Sequence, residues 1–239
     1  MYLSLSAYCF KPLEDIEALK EEFKTKARAL DIKGTILLAP EGINLNLAGQ
    51  RFDMLAMKTY IVERLDLHDT PLKWSESEVQ PFTRLKVKHK SEIITFRRDD
   101  IQPLEETVPH LAPEEFKRWL DEGKDVIIID SRNTYETEVG HFANADILDI
   151  ENFTEFTDAV AVQKEKYPEG VPVVTYCTGG VRCEKAGPAL AKLGFKEVYQ
   201  LDGGILNYFE KCGGAHWQGN CFVFDDRHAV TPELSEVKD

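Results

Sequence analysis

The sequence predicts a two-domain protein of the mixed α/β class, and three observations lead to that prediction. The chain has 239 residues, which is enough for two modest domains. Apolar strands and amphipathic helices follow one another along its first part, and buried strands alternate with helices along its second part. Between these parts, residues 99–112 carry prolines and acidic residues without a helical period, so we expect a linker there.

The apolar pattern of residues 1–98 predicts the element order βαββαβ. A helical repeat that begins at Pro12 separates the first strand from two strands joined by the turn Glu41-Gly42. A second helix and a fourth strand follow. This order is the split βαβ plan of ferredoxin-like domains, among them acylphosphatase-like domains. The predicted bounds of the six elements are 2–9, 12–30, 34–40, 43–47, 50–67 and 72–74.

Residues 82–98 form a basic segment in a chain whose net charge is −13. Their alternation predicts a hairpin or a pair of extended segments with the basic side chains on the outer face. Such charge either solubilises an edge strand or holds a polyanion, and the local pattern leaves both interpretations open. The basic residues are Arg84, Lys86, Lys88, Lys90, Arg97 and Arg98.

Residues 113–212 are predicted to form a parallel sheet with helices on both faces. Strands and helices alternate here, and the residues that follow such strands meet at the carboxyl edge of the sheet, where ligands bind. We interpret residues 213–239 as a C-terminal tail. The predicted strands are 126–129, 146–150, 171–176 and 197–201, and the predicted helices are 113–120, 153–167, 183–193 and 205–211.

The candidate chemistry lies in one loop between a strand and a helix. Cys177 directly follows the buried strand, and the next helix begins at Cys183. Glycines let the loop curl so that its amides face an anion, while Arg182 and the helix N-terminus add positive potential. These features favour a thiolate, so we predict that Cys177 is reactive rather than an inert buried cysteine. The loop residues are Thr178, Gly179, Gly180 and Val181.

Several motifs of the second part resemble a rhodanese domain over about residues 110–212. With segments 34–44, 84–88 and 220–227, nearly the whole chain resembles the rhodanese-type tRNA uridine hydroxylase family. The resemblance implies oxygen-dependent 5-hydroxylation of the wobble uridine in tRNA anticodons. The rhodanese motifs are Asp130-x-Arg132, Glu136, Gly140-His141, Cys177-x-x-Gly180-x-Arg182 and Asp202-Gly-Gly204.

The resemblance also implies catalytic roles. Cys177 matches the persulfide-forming cysteine of rhodaneses, and with Arg182 and Cys183 it forms the expected catalytic set. Cys183 resolves an oxidised Cys177, acts as the nucleophile itself, or only packs. Asp130 and Arg132 are expected to form a buried pair that supports the loop.

The substrate implied by the resemblance is the anticodon stem-loop of tRNA. The six basic residues of segment 82–98 are expected to bind its phosphates. Tyr176 and Tyr208 either stack on an unstacked base or pack in the core. Molecular oxygen is the expected co-substrate, and we identify no other cofactor, reductant or oligomeric state.

Other classes fit the sequence less well. No apolar run approaches the roughly 20 residues of a membrane span, and the cysteine spacing is not that of a disulfide framework, so we expect a cytoplasmic protein. A thiosulfate or persulfide sulfurtransferase is the alternative function, although it would need neither the basic segment nor an added N-terminal domain. A non-enzymatic binding module would need neither Cys177 nor Arg182. Cys212, His216, Cys221 and His228 match no standard zinc spacing, so we predict no metal.

Overall fold

The structure is a computed structural model that describes residues 1–237, and the chain divides into two units. The first unit contains residues 1–95 and 224–227, and the second contains residues 96–223 and those from 228 onward. The mixed α/β class is confirmed. Lys238 and Asp239, the end of the predicted tail, lie outside the described residues. None of the helices within residues 1–237 is both long and apolar enough to cross a bilayer.

The first unit has the predicted order βαββαβ, followed by one further strand. Its sheet has the strand order β4-β1-β3-β2-β5, and its apolar residues pack with both helices in one core. The alternation of Leu3, Leu5, Leu45 and Leu47 places these side chains on the core face. The elements are β1 (Tyr2–Phe10), α1 (Ile16–Ala29), β2 (Lys33–Ala39), β3 (Gly42–Gln50), α2 (Arg51–Leu65), β4 (Lys73–Ser77) and β5 (Leu85–His89).

The basic segment 82–98 forms one strand rather than a hairpin, so that prediction is wrong in part. β5 pairs in parallel with β2 at the sheet edge, and no strand of the described chain forms from the residues around Ile93. The reason is that side chains distant in the sequence hydrogen-bond to the backbone of Ile93 in place of a partner strand. Its N–H donates to Glu41 Oε1 at 2.7 Å, and its carbonyl accepts from Asn44 Nδ2 at 3.2 Å.

The predicted linker 99–112 is instead part of the second unit. Ile101, Val108 and Leu111 are buried, and residues His110–Leu111 form the strand β6. Burial of those apolar side chains stabilises the folded segment. Its prolines cost little stability, because β6 lies at a sheet edge where few backbone hydrogen bonds between strands are needed. The linker prediction is therefore wrong.

The second unit has a parallel sheet in the order β6-β11-β10-β7-β9, as predicted for this part of the chain. β10 lies in its centre and is buried along its whole length. The elements after β6 are α3 (Pro113–Asp121), β7 (Ile127–Asp130), α4 (Thr134–Thr137), β8 (Gly140–Phe142), β9 (Ala145–Ile147), α5 (Phe156–Gln163) between two 3₁₀ turns, β10 (Val173–Tyr176), α6 (Cys183–Lys192), β11 (Val198–Leu201) and α7 (Gly204–Cys212).

The predicted tail is folded into both units rather than separate from them. Strand β12 (Trp217–Gly219) pairs with β8, and β13 (Cys221–Phe222) pairs with β14 (Ala229–Val230). Residues 224–227 return to the first unit, where the Asp226 N–H donates to the Pro81 carbonyl at 2.9 Å. Buried Trp217, Cys221 and Val230 explain why the tail prediction is wrong, since each adds apolar surface to the core.

Candidate active site

Cys177 follows β10 at the carboxyl edge of the parallel sheet, as the sequence predicts. Its side chain is fully buried. The Gly180 N–H donates to Cys177 Sγ at 3.1 Å. Gly180 has a φ of 102°, a backbone conformation that glycine adopts without strain and that turns this amide towards the sulfur.

The surroundings of Cys177 stabilise its thiolate. Burial alone would raise the pKa of this thiol, but a hydrogen bond from Cys183, the charge of Arg182 and the amides of Arg182 and Gly180 outweigh it. The result is a pKa lowered to about 5. Cys177 is therefore charged at neutral pH, which is the nucleophilic form of the residue.

Cys183, at the first position of α6, is fully buried like Cys177. Its N–H donates to the Gly180 carbonyl at 3.0 Å, and its Sγ is 3.9 Å from Ser131 Oγ. Burial raises the pKa of the Cys183 thiol well above its usual value, and the neighbouring Cys177 raises it further. The site thus holds one thiolate and one thiol, and each of them shifts the pKa of the other.

Arg182 is held by Glu136 in a buried bidentate ion pair. Its Nη1 and Nη2 donate to Glu136 Oε2 and Oε1 at 2.6 and 2.7 Å. Thr178 Oγ1 donates to the same carboxylate at 3.4 Å. Burial opposes the charged form of Arg182, but Glu136 raises the pKa of the guanidinium and keeps it charged. Glu136 therefore fixes both ends of the Cys177 loop.

A second buried ion pair lies at the end of β7, beside β10. Arg132 Nη2 donates to Asp130 Oδ2 at 2.6 Å and to the Gly140 carbonyl at 2.7 Å. Neither Asp130 nor Arg132 is exposed to solvent. The next residue, Ser131, donates from both N–H and Oγ to the Tyr176 carbonyl, at 3.0 and 2.8 Å. The strand end that leads into the Cys177 loop is thereby fixed.

The N-terminus of α7 holds the loop from its other side. The Ile205 N–H donates to the Cys177 carbonyl at 3.0 Å, and the Leu206 N–H donates to the Thr178 carbonyl at 3.1 Å. Gly204 has a φ of 66°, and a Cβ there would lie 2.4 Å from the Cys177 carbonyl oxygen. The loop carbonyls thus point towards α7, which leaves the Gly180 amide free to face the sulfur.

Comparison with known proteins connects this site to a family. Residues 2–93 match the family described as UPF0176 acylphosphatase like domain, and residues 112–211 match the rhodanese-like domain. A protein of Cupriavidus taiwanensis named tRNA uridine(34) hydroxylase is 46% identical over 237 residues, which cover 97% of this chain and 84% of that protein. The chain belongs to the tRNA uridine(34) hydroxylase family.

Two further proteins are similar to this chain. The tRNA uridine(34) hydroxylase of Thiobacillus denitrificans is 44% identical over 240 residues, which cover 98% of this chain and 96% of that protein. A rhodanese-like domain from Anabaena sp., solved by NMR, is 21% identical and covers 46% of this chain and 79% of its own, with a TM-score of 0.40. The family resemblance predicted from the motifs is confirmed.

The structure brings together the residues that the sequence predicts for the catalytic set of this tRNA uridine(34) hydroxylase family member. Cys177, Cys183 and Arg182 surround the loop of residues 178–181, and the Asp130–Arg132 pair lies at the adjacent strand end. Tyr176 and Tyr208 are fully buried in the core of the second unit and offer no surface for stacking.

The six basic residues are not equivalent. Arg84, Lys86, Lys88 and Lys90 lie on or beside β5, and no acidic residue within 1–237 forms an ion pair with any of them. Arg97 and Arg98 belong to the second unit. Arg98 donates to both carboxylate oxygens of Asp100, at 2.8 and 2.9 Å.

Two of the four residues whose zinc spacing was considered have other contacts in the described chain. His216 Nε2 is 2.8 Å from Asp121 Oδ1, and the Cys221 Sγ donates to the Phe222 carbonyl at 3.5 Å. Burial raises the pKa of the Cys221 thiol to about 12. Within residues 1–237, Cys212, His216, Cys221 and His228 do not gather into a metal-ligand cluster.

Sequence reasoning assigned no role to three residues near the site. Ser131 contacts Cys183, and Gly204 allows α7 to approach the loop. The third is Tyr135, which precedes Glu136, is 45% exposed, and packs edge-on against Phe222 with ring centroids 5.3 Å apart. The motif Asp202-Gly-Gly204 was a signal for Gly204, whereas the other two contacts join residues far apart in the chain.

Proposed function

We propose that this protein hydroxylates carbon 5 of the wobble uridine of tRNA, with Cys177 as the nucleophile. The observation that carries the proposal is a thiolate in an amide-lined loop, inside a chain related over 97% of its length to proteins named tRNA uridine(34) hydroxylase. A tRNA substrate and five free thiols support a cytoplasmic location.

A thiolate has a specific use on a uracil ring. When Cys177 Sγ adds to C6, the π electron pair of the C5–C6 bond moves onto C5 and its neighbouring carbonyl, which makes C5 electron-rich. That carbon then reacts with molecular oxygen. Gly180 and Arg182 favour the thiolate that starts this step, and they stabilise the same thiolate when it leaves at the end.

The edge strand β5 supports the proposal that the first unit binds the anticodon stem-loop. Leu85 and Val87 pack on the core, so Lys86 and Lys88 project from the opposite face. Alternate residues of a strand lie about 6.6 Å apart. Arg84 and Lys90 continue the same spacing, and their backbones bond to β2 at 3.0 and 2.8 Å. A regular row of unpaired cations suits a sugar-phosphate backbone.

An unstacked anticodon base needs an aromatic surface near Cys177. Tyr135 meets that need better than the buried Tyr176 or Tyr208, because it is exposed and its neighbour Glu136 contacts the loop. Base stacking on such a ring is worth roughly 1–3 kcal/mol per base. We therefore include Tyr135 among the residues that hold the substrate.

The deciding experiment is mass spectrometry of tRNA nucleosides from cells with and without the gene, and from cells carrying Cys177→Ser or Cys212→Ser. We expect 5-hydroxyuridine and its derivatives to disappear without the gene and with Cys177→Ser. Cys212 is half-buried at the end of α7, outside the site, and its variant should keep them. Unchanged nucleosides in the Cys177→Ser cells would refute the proposal.

One observation favours a second candidate, a sulfurtransferase. The Gly180 amide that faces Cys177 Sγ at 3.1 Å would equally hold an anionic persulfide. Purified protein should then produce thiocyanate from thiosulfate and cyanide at a rate that Cys177→Ser abolishes. Loss of the hydroxylated nucleosides without any such sulfur transfer favours the hydroxylase.

A further inference from the structure

We propose that Cys183 is a second catalytic residue, which reduces the oxygen adduct of the uridine and then closes a disulfide with Cys177. The Cys177–Cys183 dithiol would thus supply the two electrons of the hydroxylation. This inference rests on the proposed function. It assigns the source of electrons and a chemical role for Cys183.

The geometry joins the two cysteines through one residue. Gly180 donates its N–H to Cys177 Sγ at 3.1 Å and accepts the Cys183 N–H at its carbonyl at 3.0 Å. Each thiol also changes the pKa of the other: Cys183 favours the thiolate of Cys177, and Cys177 opposes a second charge on Cys183. Both side chains are fully buried, which keeps bulk water away from the two sulfurs.

Hydroxylation by molecular oxygen requires electrons as well as oxygen. One oxygen atom remains on C5, and the other leaves as water, which takes up two electrons. Oxidation of two thiols to a disulfide releases two electrons. Oxidation of Cys177 and Cys183 to a disulfide would therefore supply the two electrons that one turnover requires.

The first steps form the oxygen adduct of the uridine on Cys177 and then reduce it. Cys177 Sγ forms a bond to C6, and the displaced electron pair at C5 forms a bond to oxygen, which takes a proton to give a C5 hydroperoxide. Cys183 Sγ attacks the distal oxygen of this group. The O–O bond breaks, the thiol proton moves to the oxygen left on C5, and Cys183 becomes a sulfenic acid.

Two further steps release the product. Loss of the C5 proton breaks the C6–S bond, restores the double bond and returns the electron pair to Cys177. The Cys177 thiolate then attacks the sulfenic sulfur of Cys183, forms the disulfide, and expels hydroxide, which takes a proton to become water. An external thiol must reduce the disulfide before the next turnover.

The electrostatics of the pocket set the order of these steps. Burial and then the adjacent Cys177 raise the pKa of the Cys183 thiol, which keeps Cys183 protonated at the start. Once Cys177 Sγ is bonded to C6, it carries no charge and no longer raises the pKa of the Cys183 thiol. Cys183 then loses its proton more readily and becomes more nucleophilic. The Ser131 hydroxyl, 3.9 Å from Cys183 Sγ, remains as a hydrogen-bond partner.

The test is a single-turnover reaction of the full-length protein. Reduced protein, freed of small thiols, is mixed in air with excess unmodified tRNA, and nucleosides and cysteine-containing peptides are measured by mass spectrometry. We expect about one 5-hydroxyuridine and one Cys177–Cys183 disulfide per protein, and repeated turnover once dithiothreitol is added. Without tRNA, the disulfide should form far more slowly.

Variants separate this role from a structural one. Under the same thiol-free conditions, Cys183→Ser and Cys183→Ala should make at least ~100-fold less product. Circular dichroism and thermal unfolding check that at least one of the two is folded. Cys212→Ser should match the unaltered protein in product and disulfide.

The outcomes distinguish the inference from the proposed function. Repeated turnover without thiols, product without disulfide, or full activity of a folded Cys183 variant would overturn the role of Cys183 and leave the hydroxylase proposal standing. Absence of 5-hydroxyuridine from the unaltered protein, with and without dithiothreitol, would overturn both.

Discussion

Two groups of basic residues lie in opposite electrostatic settings. Arg132 and Arg182, in the second unit, are buried and held in bidentate contact with Asp130 and Glu136. The cations along β5, in the first unit, have no acidic partner within residues 1–237. A buried pair costs desolvation energy that its own contacts must offset, whereas an unpaired surface cation keeps its hydration and its attraction for an anion.

This difference indicates that the buried, paired arginines position the loop, whereas the unpaired cations of β5 bind a ligand. Arg182 was predicted to add positive potential to the loop, and its contacts with Glu136 show that it also orients the loop. The β5 cations have no structural partner to justify them, which favours binding. Substitutions in the first group should therefore change stability and thiol chemistry, and substitutions in the second should change RNA affinity alone.

The largest expected effect is on stability, from Glu136→Gln. This change leaves the buried Arg182 without its charged partner, so the free energy of unfolding should fall by about 3–5 kcal/mol. Urea denaturation measures the loss. Glu138→Gln, at an exposed position two residues away, should stay within about 0.5 kcal/mol of the unaltered protein. Equal effects of the two variants would contradict a positioning role for the pair.

The second prediction concerns the thiolate of the same region. The pKa of Cys177 is lowered, so its thiolate should persist as the pH falls and disappear only around pH 5. The ultraviolet absorbance difference between the unaltered protein and Cys177→Ser isolates this titration. Cys183→Ala removes a side chain that favours the thiolate, so the midpoint should move to higher pH. Each pKa unit of this shift corresponds to about 1.4 kcal/mol of lost thiolate stabilisation. An unchanged midpoint would mean that Cys183 does not stabilise the thiolate.

Much of this region was predictable from the sequence because its signals are local. A β-branched run that ends in Cys177, a pair of glycines and a helical repeat from Cys183 define strand, loop and helix within 22 residues, 171–192. The contacts that position the loop were not predictable in the same way. Glu136 and Arg182 are 46 residues apart, and only the folded sheet brings them together.

The errors in the first unit and at its borders have a common physical cause. Ile93 resembles a strand residue, but Glu41 and Asn44 bond its backbone in place of a partner strand. Prolines make segment 99–112 resemble a linker, yet Val108 and Leu111 are buried in the second unit. In each case tertiary contacts override a local pattern.

The third prediction tests the binding group. Lys86→Gln with Lys88→Gln should weaken tRNA binding roughly tenfold and reduce the salt slope of the affinity by about 0.7–0.9 for each lost contact. Stability should not change, because neither side chain has a partner to lose. Arg98→Gln is the matched control, since Arg98 already contacts Asp100 and should matter less. Binding titrations at several salt concentrations measure the affinity and its salt slope. Equal losses of affinity in the β5 variant and in Arg98→Gln would mean that paired and unpaired cations do not differ in tRNA binding.

The smallest expected effect concerns Tyr135, an exposed residue that directly precedes Glu136, which contacts the loop. Tyr135→Ala should raise the KM for tRNA about fivefold and leave kcat within twofold, since a lost stack on the ring is worth roughly 1 kcal/mol. Tyr135→Phe keeps the ring and should restore the KM. Phe52→Ala, at an 85% exposed aromatic on α2, controls for the loss of a surface ring. If Tyr135→Phe fails to restore KM, the hydroxyl and its contact with Asn133 at 3.3 Å, rather than the ring face, hold the substrate.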